Sequence, residues 1–156
     1  DLLAQLESTG GAELQEIQEE IIEQVRDDQK EALVGQVARL KKLLRSTDPA
    51  TRQIALWALA RSDELTLAPI FIDAIRNDTD FDVALEANNG LCVLSRKLNG
   101  VEMPADPLAN MRENESEDRL KEVTKQWRAE TAARWQRWYL SVRPYRERDD
   151  LKDHPQ

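Results

Sequence analysis

Cysteine occurs once, at Cys92, and histidine once, at His154, third from the end of a 156-residue chain. One thiol excludes an intrachain disulfide. The two residues together cannot build a metal site of the ordinary Cys/His type, and a lone histidine in the tail leaves no Ser/His/Asp set. Cys92 sits among Leu91, Val93 and Leu94, a setting that predicts a buried, inert thiol rather than a nucleophile. Five glycines and six prolines are few for a protein made of turns. Long stretches free of both favour helices. No glycine-rich phosphate loop is present. No apolar run approaches the roughly 18 residues that a membrane span needs. Glu86 is the one acid in the interior of the fifth expected helix, and it has no second carboxylate at a fixed spacing. The inventory therefore offers no catalytic set, no cofactor motif and no metal ligands, and it predicts a protein that is not an enzyme.

Charge is plentiful but unevenly placed. The formal net charge is -8, which argues against broad nucleic-acid binding, since that needs a cationic surface. Residues 1–38 carry ten acids and two bases, whereas residues 119–148 carry nine bases and three acids. Such asymmetry either draws the two ends together or presents two different surfaces, and solvated helix faces are its simplest meaning. The chain opens on Asp1, from which a trimmed or processed N-terminus is expected. The compartment is left open between cytoplasm and export.

The pattern along the chain is helical. Residues 1–11 form a lead-in ending at Gly10-Gly11. Leu14, Ile17, Ile21 and Val25 then step along one face of a helix over 12–27, with Glu16, Glu19, Glu20 and Glu23 around it. A second helix is expected over 29–45 on Leu33, Val37, Leu40 and Leu44. Asp48 caps a third over 49–61, with Pro49 at its first position. A fourth covers 64–77, and a fifth covers 81–98, capped by Asp80 and ended by Asn99-Gly100. Gly90 inside that helix costs about 1 kcal/mol against alanine, which a close helix contact would explain. Residues 99–115 form a loop. Ser116 opens a last helix over 116–142 with Glu117 and Asp118 in its first turn. Its stripe is Leu120, Val123, Trp127, Thr131, Trp135, Trp138 and Val142. Residues 143–156 are a charged, loose tail.

Two of these segments echo each other at a 32-residue offset. Asp48 maps to Asp80, Thr51 to Val83, Ala55 to Ala87, Ala58 to Gly90 and Leu59 to Leu91. Upstream, Leu40 maps to Ile72 and Leu43 to Ile75. A fixed period with helical spacing marks stacked repeats. The run Asp48-Pro49-Ala50-Thr51-Arg52, followed by Ala55, Ala58 and Leu59, resembles the second helix of a HEAT-type repeat. The second copy keeps Asp80, Val83, Ala87 and Leu91 but has Phe81 in the proline position and Ala84 in the arginine position. The run from Arg134 to Tyr145 is similar to endings of uncharacterised bacterial HEAT-like proteins. The resemblance implies an all-α solenoid of about six helices, with pairs near 29–61 and 64–98. It also implies an Asp/Arg ladder between repeats, which the missing second arginine interrupts. Two repeats leave apolar faces open, so the helices at 12–27 and 116–142 are expected as caps of a single domain over 12–142.

Function is read from surfaces, because fold analogy does not supply it. The resemblance places the second helix of each pair on an inner, concave face. Arg52, Gln53, Trp57, Asn88, Asn89 and Arg96 lie off the core stripe there. Trp57 either anchors a partner or fills a gap against the last helix. Asn88 and Asn89 suit a helix interior poorly and meet either a ligand or the 99–115 loop. Trp127, Trp135 and Trp138 stand at core spacing, while Arg128, Arg134 and Arg137 interleave with them. The expectation is a non-catalytic interaction or scaffold module for another protein, with Arg52, Trp57, Asn89, Arg96, Arg128, Arg134 and Arg137 as candidate contacts. The alternative is an anion or nucleic-acid binder using the basic last helix.

Overall fold

In a computed structural model of the chain, the residues described are 36–144 and 147. The lead-in at 1–11, the helix over 12–27, the beginning of the second helix and all of the tail after Pro144 except Glu147 lie outside them. Five α-helices and no strands occur among the described residues. These are α1 (Val37–Leu43), α2 (Pro49–Ala60), α3 (Ala68–Asn77), α4 (Phe81–Ser95) and α5 (Glu117–Val142). The molecule is thus an all-α repeat array.

The ends of these helices follow from local chemistry. Asp48 opens α2 by accepting from the Ala50 amide at 3.2 Å and from the Thr51 hydroxyl at 3.0 Å. Pro49 lies in the first turn, where no amide donor is required. Asp80 repeats the device at α4, accepting from the Val83 amide. Ser116 does so at α5, accepting from the Arg119 amide. Two boundaries differ from expectation. The segment 64–77 begins as a 3-10 turn, Leu65–Leu67, before α3 starts at Ala68 with Pro69 in its first turn. Helix α4 ends at Ser95 rather than near residue 98. Arg96 turns left-handed at φ 61°, and the amides of Arg96 and Lys97 fall back on the carbonyls of Val93 and Cys92. That closure needs one residue with positive φ, and here an arginine adopts it three residues before Asn99.

Packing follows the 32-residue echo. Leu40, Leu43, Thr51, Ala55, Ala58 and Leu59 are buried, and so are their counterparts Ile72, Ile75, Val83, Ala87, Gly90 and Leu91. Helix α2 packs on α1 and α4, and α3 packs on α4 and α5. Gly90 marks a close approach. A Cβ there would stand 2.5 Å from Phe71 Cε1 and 3.3 Å from Ala60 Cβ. The expected close contact is therefore between α4 and its neighbours α3 and α2.

Helix α5 closes the second pair. Trp127, Thr131, Ala132, Trp135 and Tyr139 are its buried face, so the indoles at 127 and 135 are core. Trp138 is half-buried and meets Trp135 edge-on, while Val142 at the end of the expected stripe is exposed. The indole N–H groups of both buried tryptophans of α5 have partners, as burial demands. Trp127 donates to the Pro104 carbonyl and Trp135 to Asn88 Oδ1, both at 2.7 Å.

The Asp/Arg linkage is rebuilt with different residues. Arg52 grips Asp78 through two bonds of 3.1 and 3.0 Å and also donates to the Ser46 carbonyl. It thereby ties the turn before α2 to the turn before α4. Ala84 holds the equivalent place in the second copy and has no charge to offer. Arg128 of α5 reaches over instead. It donates to the Ile75 carbonyl at 3.3 Å, lies 5.5 Å from the Phe81 ring, and feels the charges of Asp78 and Asp80.

Candidate functional site

Most apolar positions of α2 and α4 are taken by the core, and residues on the facing sides of the two helices line a trough. Along α2, Gln53, Trp57 and Arg61 follow one another at four-residue spacing, which puts them on one face. Arg61 is the residue that ends α2. Along α4, Glu86, Asn89 and Val93 do the same at three and four residues. Gln53, Ile54, Trp57, Arg61, Glu86 and Asn89 line an open hollow of about 370 Å³. Asn89 is also a wall of a second hollow of about 610 Å³, bordered by Cys92, Leu98, Gly100, Val101 and Met103. The two hollows are consecutive, with one exposed amide between them. Val93 is 44% exposed one turn beyond Asn89, and Leu98 is fully exposed at the loop end.

The polar groups of the first hollow are held in place. Arg61 lies over the Trp57 ring with its guanidinium carbon 3.9 Å from the centroid. It also donates to the Trp57 carbonyl at 2.9 Å. Trp57 itself is only 8% exposed, so the indole is a floor rather than a protruding anchor. Burial pushes the Glu86 carboxyl above the usual carboxylate range, while Arg61 and an Asn89 hydrogen bond pull it back. Burial likewise lowers Arg61, against the opposing pull of Glu86. In the second hollow, burial pushes the half-buried Cys92 thiol up, which keeps it protonated and unreactive at neutral pH.

The structure gathers only some of the residues expected at a site. Trp57, Gln53 and Asn89 share the trough. Asn88 faces α5 instead and accepts from Trp135, so its partner is an indole and not the loop backbone. Arg52 is bound to Asp78, away from the trough and beside a separate cavity with Leu44 and Leu56. Arg96 is exposed and pairs with Asp63 at 3.2 Å. Arg128 is turned to the Ile75 carbonyl, and Arg134 bonds Glu130 and the Val101 carbonyl. Arg137 is exposed on α5. Trp57 belongs to the buried core, with Arg61 lying over its ring. Arg61 escaped the sequence reading, although its place four residues after Trp57 was a usable signal. Glu86 has no second carboxylate at a fixed spacing in the sequence; the groups it meets are Arg61 at the end of α2 and Asn89 three residues on along α4.

Residues 26–61 match the family model for the Armadillo/beta-catenin-like repeat. The match covers the first helix pair and stops at Arg61, under a quarter of the chain. It agrees with a helical-repeat scaffold and points to an Armadillo-type unit, a near relation of the HEAT type inferred from Asp48-Pro49. No curated protein matches the chain, and no solved structure does. Among the described residues, no helix is long and apolar enough to cross a membrane.

Proposed function

We propose that this protein is a non-catalytic interaction module that holds a short extended segment of a partner protein in the trough between α2 and α4. Asn89 carries the reading, because it is an exposed amide standing where two adjoining hollows meet. From Glu86 to Val93 the helix rises about 10 Å, the span of about three extended residues. Including the loop hollow lengthens the track by a few more. Polar groups already fixed by the fold lose little freedom on binding, which favours affinity. Helical-repeat families are generally protein-interaction scaffolds, which agrees with such a role.

The basic face of α5 supports a nucleic-acid reading less well. Its two innermost indoles are buried, and Arg128 and Arg134 serve carbonyls of the fold.

The test is affinity capture with the full chain and with Asn89→Arg, an exposed change that sets a long cationic side chain where the two hollows meet. Proteins retained by the parent chain should fall at least tenfold with the variant, while circular dichroism stays the same. Retention of the same proteins at equal levels would place the partner surface elsewhere.

A further inference from the structure

We infer that the hollow bounded by Gln53, Trp57, Arg61, Glu86 and Asn89 is a subsite for a carboxamide, the side chain of a glutamine or asparagine in the bound segment. The inference rests on the trough reading and adds the chemistry of one position.

The argument starts from donors and acceptors. Arg61 offers N–H groups and accepts nothing, whereas an ionised Glu86 accepts and donates nothing. Gln53 and Asn89 do both. Arg61 spends one donor on the Trp57 carbonyl and its lower face on the indole, which leaves donors on the side of the hollow. Arg61 and Glu86 feel each other's charge yet do not close into an ion pair. The three ion pairs among the described residues are formed by Arg52, Arg96 and Arg134. The hollow therefore presents a donor and an acceptor side by side, separated by space.

Each simpler ligand meets one wrong wall. An ammonium or guanidinium group gains Glu86 but is repelled by Arg61. A carboxylate gains Arg61 but is repelled by Glu86. Both walls are half-buried, so water screens these repulsions weakly. An apolar side chain would strip water from the Gln53 amide and the spare donors of Arg61 and return no bonds to them. A carboxamide carries an acceptor oxygen and a donor NH₂ side by side. Its oxygen faces Arg61, its NH₂ faces Glu86, and the two wall amides complete the ring of bonds. A site built on hydrogen bonds also rejects analogues lacking them more strongly than an apolar pocket rejects a missing methylene.

The experiment selects a random heptapeptide phage library on the full chain, then repeats it on Arg61→Gln, Glu86→Gln and Asn89→Arg. Enriched peptides should carry Gln or Asn at one common position, and replacing that residue with Leu should weaken binding roughly tenfold. Arg61→Gln should move the preference at that position to Lys or Arg, and Glu86→Gln should move it to Asp or Glu. If one variant fails to fold, the other still reports the switch. Peptides that need Asn89 but carry a charged or apolar residue at the common position overturn the carboxamide subsite and leave the trough reading intact. Recovery of no peptides, or of peptides that bind Asn89→Arg equally well, overturns both.

Discussion

Single side chains decide how tightly the two pairs fit. At Gly90, helix propensity alone predicts that alanine adds about 1 kcal/mol. The added Cβ would meet Phe71 Cε1 at 2.5 Å, and Phe71 is fully enclosed. Overpacking of that kind costs about 1–3 kcal/mol, so Gly90→Ala should lower the midpoint of urea unfolding. The sequence flagged this residue correctly, because a glycine in mid-helix has a local cost that something must offset. Trp135→Phe removes the donor to Asn88 and leaves a buried acceptor unpaired, at about 1–3 kcal/mol, read from the same unfolding curves. Glu86 makes a prediction of opposite sign. Its carboxyl is raised by burial, so its ionisation weighs against the folded state as pH rises through the shifted value. Glu86→Gln should therefore raise Tm at pH 7, and the gap between variant and parent should close below the ordinary carboxylate range, near pH 4. A gap that widens in acid would contradict the assigned cause.

At the scale of helices, the starts of α2, α4 and α5 were legible, whereas the start of α3 and the end of α4 were not. Asp48, Asp80 and Ser116 announce their helices through a side chain acting two or three residues away, which is local information. The stop of α4 at Ser95 depends on Arg96 taking a left-handed turn, and arginine carries no marker for that. The Asp/Arg linkage shows the same divide. Arg52 was readable from the motif, but its partner Asp78 lies 26 residues on. Arg128 comes from α5 to serve the second copy, 44 positions after Ala84, and no local pattern signals it. Arg52→Met strands a mostly covered Asp78. Its cost should be about 2 kcal/mol, between that of exposed and fully buried pairs. Arg128→Met should cost about 1 kcal/mol, for it loses one longer bond to a carbonyl and a ring contact. Thermal unfolding of the two variants side by side checks the order.

For the whole molecule, stacking was visible in the echo because both copies bury equivalent positions. What the stack binds was not, because a trough is made by residues from two helices whose facing sides no single pattern reports. Helix α5 is the cover of the second pair, with Trp127 and Trp135 in the core. A chain ending at Glu115 loses both indoles and uncovers Phe81, Asn88 and the apolar side of α3. Such a chain should lose its cooperative thermal transition by circular dichroism, since repeats of this kind depend on their end caps. Retention of a sharp transition would show the two pairs to be self-sufficient.

The 101–104 stretch is stapled to α5 at two points, through Arg134 to the Val101 carbonyl and Trp127 to the Pro104 carbonyl. The same stretch forms the rim of the loop hollow. A single 26-residue helix thus both covers the second pair and fixes one edge of that hollow, so core packing and hollow shape share the same two fasteners.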